Sequence, residues 1–326
     1  MHPHLAPQLF DADTMARLSR LADLDPALVL EDFTTPEALA ALAETEVLLT
    51  SWGCPPLDER VLAAAPRLRA VIHAAGSVKH HVTDACWERG IQVTSAAWAN
   101  ALPVAEYTVA AILFSNKQVL QLADEYRRRR ASYDWQAAYG HIGNHRRTVG
   151  IVGASQIGRR VLELLRPFDL QLLLHDPYVA PDEADALGAR SVGLDELCAL
   201  SDVVSIHAPQ LPSTRHMIDG RLLSRMPDGA TLINTSRGSL IDQDALVAEL
   251  VSGRLNAVLD VTTPEVLPAD SPLYELPNVL LTPHIAGSLG GELHRMAVAA
   301  ADELGRYAAG LPFAHPVRAQ DIHRTA

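Results

Sequence analysis

Three residues able to do acid–base and anion-binding chemistry each stand just beyond a short apolar run in the second half of the chain. They are Arg237 in Leu232-Ile-Asn-Thr-Ser-Arg237-Gly, Glu265 in Leu259-Asp260-Val-Thr-Thr-Pro-Glu265, and His284 in Leu280-Leu-Thr-Pro-His284-Ile-Ala-Gly287. A histidine titrates in the range needed to take a proton from a hydroxyl. A neighbouring carboxylate would orient its ring and favour the charged form. An arginine offers a planar, permanently charged fork that can hold a carboxylate and polarise a carbonyl. These are the parts needed to oxidise an alcohol next to a carboxylate, provided a hydride acceptor is at hand. Taken singly, each has a plainer reading: His284 as a core histidine with satisfied partners, Glu265 as a solvated loop acid, and Arg237 as half of a surface ion pair.

The acceptor is suggested by Thr148-Val-Gly-Ile-Val-Gly153-Ala-Ser155-Gln-Ile-Gly158-Arg-Arg-Val, which reads strand, tight turn, helix. That is the context a dinucleotide fingerprint requires. Gly153 makes the turn, Gly158 lets helix and strand pack closely, and the helix N-terminus offers free amides to a pyrophosphate. Ser155 replaces the middle glycine, which ordinarily lets the backbone approach the phosphates, and its hydroxyl is a candidate compensating donor. Asp176 ends the next apolar run, 23 residues beyond Gly153. An acid there accepts hydrogen bonds from the adenosine ribose and repels a 2′-phosphate. No Arg or Lys follows directly, so NAD is expected over NADP. The plainer readings are an ordinary βα turn and a turn aspartate before Pro177.

The elements that must position these groups alternate along the chain. Strands are expected at 47–50, 69–73, 147–153, 170–175, 202–207, 230–234, 257–260 and 279–282, rich in Val, Ile and Leu as doubly buried parallel strands are. Between them lie helices with readable caps: Thr35 and Pro36 open one, and Asp242 opens another that Gly253 closes. The class is therefore α/β, with parallel sheets and helices on both faces. In such sheets ligands bind beyond the carboxyl ends of the strands, where Arg237, Glu265 and His284 would converge. A chain of 326 residues has room for two domains. A long helical stretch from about 103 to 130 separates two sets of βα units. Residues 1–100 plus 291–326 are read as one domain and 101–290 as the other, the Ala-rich helix after Gly291 returning to the first.

Composition narrows the partners. Apolar residues at 48% and charged residues at 20% balance as in a globular protein. The net charge of −12, with no basic face, argues against nucleic acid and anionic membrane. The run Arg127–Arg130 suits a solvated helix end, where cations complement the helix dipole. Glu106 interrupts the best candidate for a bilayer span. Cys54, Cys86 and Cys198 form no CxxC pair, and the N-terminus lacks the pattern of a secretory signal, so a reducing, cytoplasmic location is expected. No metal site is expected: His80 and His81 lack spaced partners and read as a solvated loop, and Gly140 and Gly143 argue against a helix carrying His141 and His145.

The chain resembles the D-2-hydroxyacid dehydrogenase family. The matching segments are Asn100-Ala-Leu-Pro-Val-Ala-Glu106, the Gly153–Gly158 loop, Val204-Ser-Ile-His207-Ala-Pro, Asn234-Thr-Ser-Arg237-Gly, Asp260–Glu265 and Ser271-Pro-Leu-Tyr-Glu-Leu-Pro-Asn-Val-Leu-Leu-Thr-Pro-His284. The resemblance implies an NAD-binding Rossmann domain inserted into a flavodoxin-like substrate domain. It also implies reversible NAD-linked oxidation of a small D-2-hydroxy acid to the 2-keto acid, with His284 as acid/base, Glu265 as its partner and Arg237 binding substrate. Thr108, Gln156, Ile157, Thr235, Ser236, Asp260 and Gly287 would join Gly153, Ser155, Gly158 and Asp176 around NAD, with His207, Ala208 and Pro209 skirting the same cleft. Relatives of this kind form homodimers, partly through the long helix after Asn100.

Two departures stand out. One is Ser155. The other is the substrate-domain loop, ordinarily two glycines separated by one residue and followed by an acid, which here reads Ala75-Gly76-Ser77-Val78-Lys79-His80-His81. Amides near Gly76 and Ser77 are the candidates to hold a substrate carboxylate. Trp52, Trp98 and Trp135 are candidates to shape the pocket, or equally core and dimer contacts. The competing reading from another class is an NAD-sensing, corepressor-like protein that keeps the fold without turnover. Formate dehydrogenases share the fold but carry an amide where Glu265 stands.

Overall fold

The computed structural model describes residues 1–322 and divides into two compact units, Met1–Ala101 with the segment from Ser288, and Leu102–Gly287. The strands in chain order are β1 (Val47–Thr50), β2 (Ala70–His73), β3 (Gln92–Ser95), β4 (Thr148–Val152), β5 (Gln171–His175), β6 (Arg190–Ser191), β7 (Val203–Ile206), β8 (Thr231–Asn234), β9 (Asn256–Leu259), β10 (Val279–Leu281) and β11 (Pro316–Val317). The eight strands expected from the sequence are all present within a residue or so at each end. β3 was missed because its outer end is a polar, exposed Gln, and β6 and β11 are two residues each.

In the second unit seven parallel strands run in the order β10-β9-β8-β7-β4-β5-β6. Their side chains alternate between two cores, as a period of two requires. Val204, Leu232, Ala257 and Leu259 enter one, while Val203, Ile233 and Val258 enter the other. Strands hydrophobic on both faces must be covered on both. The helix Gln156–Leu165 does so with Gly158, Val161, Leu162 and Leu165, the 3.6-residue spacing of one buried stripe. Chain order reverses between β4 and β7, and such a switch point leaves a crevice at the carboxyl ends of those two strands.

The first unit carries the sheet β1-β2-β3-β11, three parallel strands with β11 antiparallel at the edge. The helix Leu293–Ala308 belongs to this unit, as its Ala-rich pattern implies, packing Met296, Ala297, Ala300 and Ala301 with Ile72 and Leu18. Its buried Glu303 accepts from the amides of Ala314 (3.0 Å) and His315 (2.8 Å), which fixes the approach to β11.

The helical stretch expected over 103–130 is two helices, Ala97–Asn116 and Val119–Arg129, broken where Gln118 turns left-handed at φ 45°. By length and composition the first is long and apolar enough to cross a bilayer, with Glu106 its single charged residue. It packs Ala105, Ala111 and Ile112 into the second unit's core. Arg127, Arg128 and Arg129 occupy the last turn of the second helix, and Arg128 and Arg129 pair with Asp124 and Glu125 one turn back. Trp98 stacks on His315 at 4.9 Å, and Trp135 lies among Tyr126, Tyr133 and Tyr139.

Among the described residues three histidines are buried: His73 and His81 in the first unit and His207 in the second. His81 is thus a core residue rather than part of a solvated loop, while His80 is exposed. Burial holds His73 well below the usual imidazole range, lowers His81 to about 4 and lowers His207 to about 3. The unfolded chain binds these protons at ordinary pH values, so stability is complete above about pH 6.5 and is lost as pH falls below it. Each such histidine costs on the order of 2 kcal/mol by pH 5. The melting temperature should therefore be level from pH 8 to 7 and fall steeply from 6.5 to 5, and a level profile over that lower range would contradict the buried, neutral imidazoles.

Candidate active site

All three chemistry-bearing residues lie in the second unit, just beyond β8, β9 and β10. After β8 the chain turns on Asn234, whose side-chain amide donates to the Arg237 carbonyl (2.9 Å) and whose oxygen accepts from the Ser236 amide (3.0 Å). The Ser236 hydroxyl donates to the Ile206 carbonyl at the end of β7 (2.7 Å). Arg237 is mostly buried and donates to the Ser236 carbonyl (2.7 Å). The next residue has to be glycine: a Cβ on Gly238 would lie 2.2 Å from the Thr262 carbonyl carbon. This close approach draws the loop after β9 against Arg237. Gln243 grips that loop by both polar groups of Thr263, donating to its carbonyl (2.7 Å) and accepting from its amide (2.9 Å). Burial pulls the Arg237 guanidinium below its ordinary value, and the nearby Glu265 charge pulls the other way.

His284 adopts a left-handed backbone, φ 56°, which is uncommon for a residue with a β-carbon and costs on the order of 1–3 kcal/mol. What holds it is Asp260, only 1% exposed. The Asp260 carbonyl accepts the His284 amide (2.9 Å), and its carboxylate accepts the Thr282 hydroxyl (2.7 Å) and the amides of Ile285 and Ala286 (2.8 Å each). Hydrogen bonds to a charged acceptor contribute about 1.5–3 kcal/mol each, enough to offset the strain. His284 Nδ1 then lies 2.5 Å from Glu265 Oε1. An ionised carboxylate can only accept, so Nδ1–H donates and Nε2 is the nitrogen left for a reactant. The two side chains are 47% and 55% exposed, and a pair so open contributes only about 0–1 kcal/mol to stability. Its value is orientation.

The crevice beyond β4 and β7 holds the glycine loop. A Cβ on Gly158 would lie 2.0 Å from the Gly153 carbonyl oxygen, and one on Gly153 would lie 2.8 Å from the Ala208 amide nitrogen. Ser155 sits at φ −63°, ψ 179°, extended backbone that any residue adopts, so replacing a glycine there introduces no strain. Its hydroxyl caps the helix by accepting from the Gly158 amide (3.4 Å). Among the described residues, the amides of Ser155, Gln156 and Ile157 find no protein acceptor, which is the cradle a pyrophosphate needs. Asp176 holds the loop through the Ala154 amide (2.7 Å), its other oxygen accepting from Tyr178 (2.8 Å). His207 is fully enclosed: one ring nitrogen meets the Ser205 hydroxyl (2.9 Å), and Nδ1 has no partner. Thr108 and Thr235, both buried, bring their hydroxyls within 3.2 Å. The residues present fit a dinucleotide.

Residues 109–286, more than half the chain, match the D-isomer specific 2-hydroxyacid dehydrogenase, NAD binding domain. The chain belongs to the D-isomer specific 2-hydroxyacid dehydrogenase family. It is 35% identical over 255 residues to a D-3-phosphoglycerate dehydrogenase of Mycobacterium bovis, covering 77% of this chain and 47% of that one. It is 33% identical over 301 residues to a glyoxylate/hydroxypyruvate reductase B of Yersinia enterocolitica, with 90% of each covered. The D-mandelate dehydrogenase of Rhodotorula graminis superposes with a TM-score of 0.79 at 25% identity over 94% of both chains. The chain spans about half the length of the phosphoglycerate dehydrogenases it matches. The residues matched by the NAD-binding family model fall within the unit Leu102–Gly287 of this dehydrogenase-family chain.

Among the described residues no group of three or more His, Cys, Asp or Glu is gathered that could hold a metal ion. Gly76 and Ser77, the candidates for a substrate carboxylate, lie in the other unit, just past β2. Residue type and spacing did not reveal that Asp260 serves the loop of His284, because its partners, two backbone amides and the Thr282 hydroxyl, lie more than twenty residues away in the chain. Asp260→Asn would turn an amide hydrogen toward donors that now face an acceptor. Its melting temperature should fall by on the order of 5–10 °C, the equivalent of roughly 2–3 kcal/mol in a unit of this size. Wild-type stability in that variant would show that the three bonds do not hold the loop.

Proposed function

We propose that this protein is an NAD-dependent oxidoreductase that interconverts a small D-2-hydroxy acid and its 2-keto acid. The observation that carries the reading is the 2.5 Å contact of His284 Nδ1 with Glu265, within the electrostatic reach of Arg237. NAD(H), when bound, supplies or accepts the hydride. Ser155, Gln156 and Ile157 hold its pyrophosphate with backbone amides, Asp176 takes the adenosine ribose, and Thr108, Thr235, Ser236, Asp260, Gly287 and the His207–Pro209 turn line the remaining cofactor surface.

Arg237 binds the substrate carboxylate and polarises the C2 carbonyl, a task for which a partly buried guanidinium is stronger than a fully exposed one. His284 holds a proton on Nε2. In the reducing direction that proton goes to the C2 oxygen as hydride reaches C2, leaving a neutral imidazole and a 2-hydroxy acid. In the oxidising direction Nε2 takes the hydroxyl proton. Glu265 keeps the ring in the tautomer and orientation that make either transfer direct. Residues 1–101 with the C-terminal segment form the substrate domain. There Ala75, Gly76, Ser77 and Val78 present four successive amides that, among the described residues, have no protein acceptor. Such a nest suits a carboxylate. A protein that only senses NAD would need neither the imidazole–carboxylate contact nor this nest.

Two subsidiary readings accompany the main one. The protein is a homodimer: the helix Val119–Arg129 buries none of its residues although Leu120, Leu122, Ala123 and Tyr126 share one face, and Phe114 beside it is 55% exposed. Light scattering should give twice the chain's 35.2 kDa, and Phe114→Asp should shift it toward the single-chain value. The protein works in the cytoplasm, where its three unpaired cysteines persist; burial pushes Cys54 up to about 11 and Cys198 up to about 12, which keeps those thiols protonated.

A screen of glyoxylate, hydroxypyruvate, pyruvate, phenylpyruvate and larger 2-keto acids with NADH should reveal turnover. With the best of them, His284→Ala should lose on the order of 10²-fold or more in kcat. Silence across the screen, or near-wild-type turnover in the variant, would overturn the reading.

A further inference from the structure

The carboxyl edge of the first unit's sheet holds a polar cluster that the proposed chemistry leaves unused. Thr50 ends β1, His73 ends β2, and His81 closes the loop that follows β2. Each is no more than 2% exposed. The Thr50 hydroxyl lies 2.9 Å from His73 Nδ1 and 3.4 Å from His81 Nε2, and the two rings sit 4.4 Å apart. One hydroxyl has one proton to donate, so it can give to only one ring and must accept from the other, which couples the two imidazole tautomers.

Backbone bonds anchor the loop on either side of its turn. The Ala74 amide donates to the Thr50 carbonyl (2.7 Å), the His81 amide donates to the Val78 carbonyl (3.1 Å), and the His81 carbonyl accepts from Leu57 (2.7 Å). Between these anchors lie the four unpaired amides of Ala75–Val78. Apolar side chains would fill the same space without the risk of an unmet polar group, whereas a buried hydrogen-bonded cluster favours one geometry.

We propose that the His73–Thr50–His81 cluster is a positioning clasp that holds the 75–78 turn in the shape that presents its amides to the substrate carboxylate. This rests on the reading of that turn as the carboxylate site. The clasp acts on substrate affinity alone, since it is remote in sequence from the residues assigned to NAD and to proton transfer. It also binds through uncharged groups, so it leaves the positive potential of the amide nest intact.

Thr50→Val keeps the shape and deletes the hydroxyl, while Thr50→Ser keeps the hydroxyl. Steady-state kinetics of the full-length protein with NADH should use the fastest 2-keto acid of the screen and the ethyl ester of that acid. Thr50→Val should raise KM for the acid about tenfold, as loss of a well-placed hydrogen-bonded contact does, and leave kcat, KM for the ester and the NADH dissociation constant within about twofold. Thr50→Ser should restore the acid KM, and His81→Gln should reproduce the defect if Thr50→Val folds poorly. A lower melting temperature with unchanged acid KM would reduce the cluster to core packing and overturn the clasp alone. Equal KM for acid and ester in the wild-type protein would bring down the carboxylate reading, and the clasp with it.

Discussion

The geometry of the candidate site depends on one buried carboxylate. Asp260 directly follows β9 and ties the end of β10 to it, accepting from Thr282, His284, Ile285 and Ala286 on either side of the imidazole. A left-handed histidine would relax if left alone, and an exposed imidazole–carboxylate pair is too weak to hold a backbone in place. Position is therefore set by bonds to the main chain, and the exposed Glu265 only selects how the ring is turned. The same division governs Arg237, whose side chain is aimed by Asn234, Ser236 and the absence of a side chain at Gly238.

Parallel topology explains why these parts come together. In a sheet whose strands all run one way, every strand ends at the same edge, and loops carrying unrelated residues become neighbours there. β8, β9 and β10 bring Arg237, Glu265 and His284, while β4, β5 and β7 bring the glycine loop, Asp176 and His207. The order of strands separates the two groups, with the unpaired amides of the glycine loop at the reversal point and the imidazole–carboxylate pair toward the far side.

Much of this could be read from residue types because parallel strands are continuous apolar runs that end abruptly. The runs ending at Asn234, Leu259 and Leu281 point to their polar successors, and Thr35, Asp242 and Gly253 announce helix ends through chemistry that acts within a turn. What stayed hidden depends on contacts distant in sequence. The break at Gln118 has no proline or glycine to mark it. His81 looked solvated because no spaced partner in the sequence pointed to it, and only the fold places it against Thr50 and His73. Asp260 was legible as part of a motif but not as the clamp of a loop 22 residues further on. Ser155 departs from the glycine pattern, yet its backbone angles are ordinary and its hydroxyl serves as a cap.

The two units solve the same mechanical problem with opposite electrostatics. Beyond β9 a charged group is an asset: the Asp260 carboxylate gathers amide donors from the neighbouring loop that carries His284. Behind the turn after β2 it would be a liability, since amides that are to attract an anion lose their advantage when an anion already sits behind them. The first unit uses neutral imidazoles and a hydroxyl there, and burial keeps those rings uncharged at neutral pH. Neutral anchors impose their own condition. They hold only where the rings remain unprotonated, so the turn after β2 is among the first parts of the structure that acid weakens.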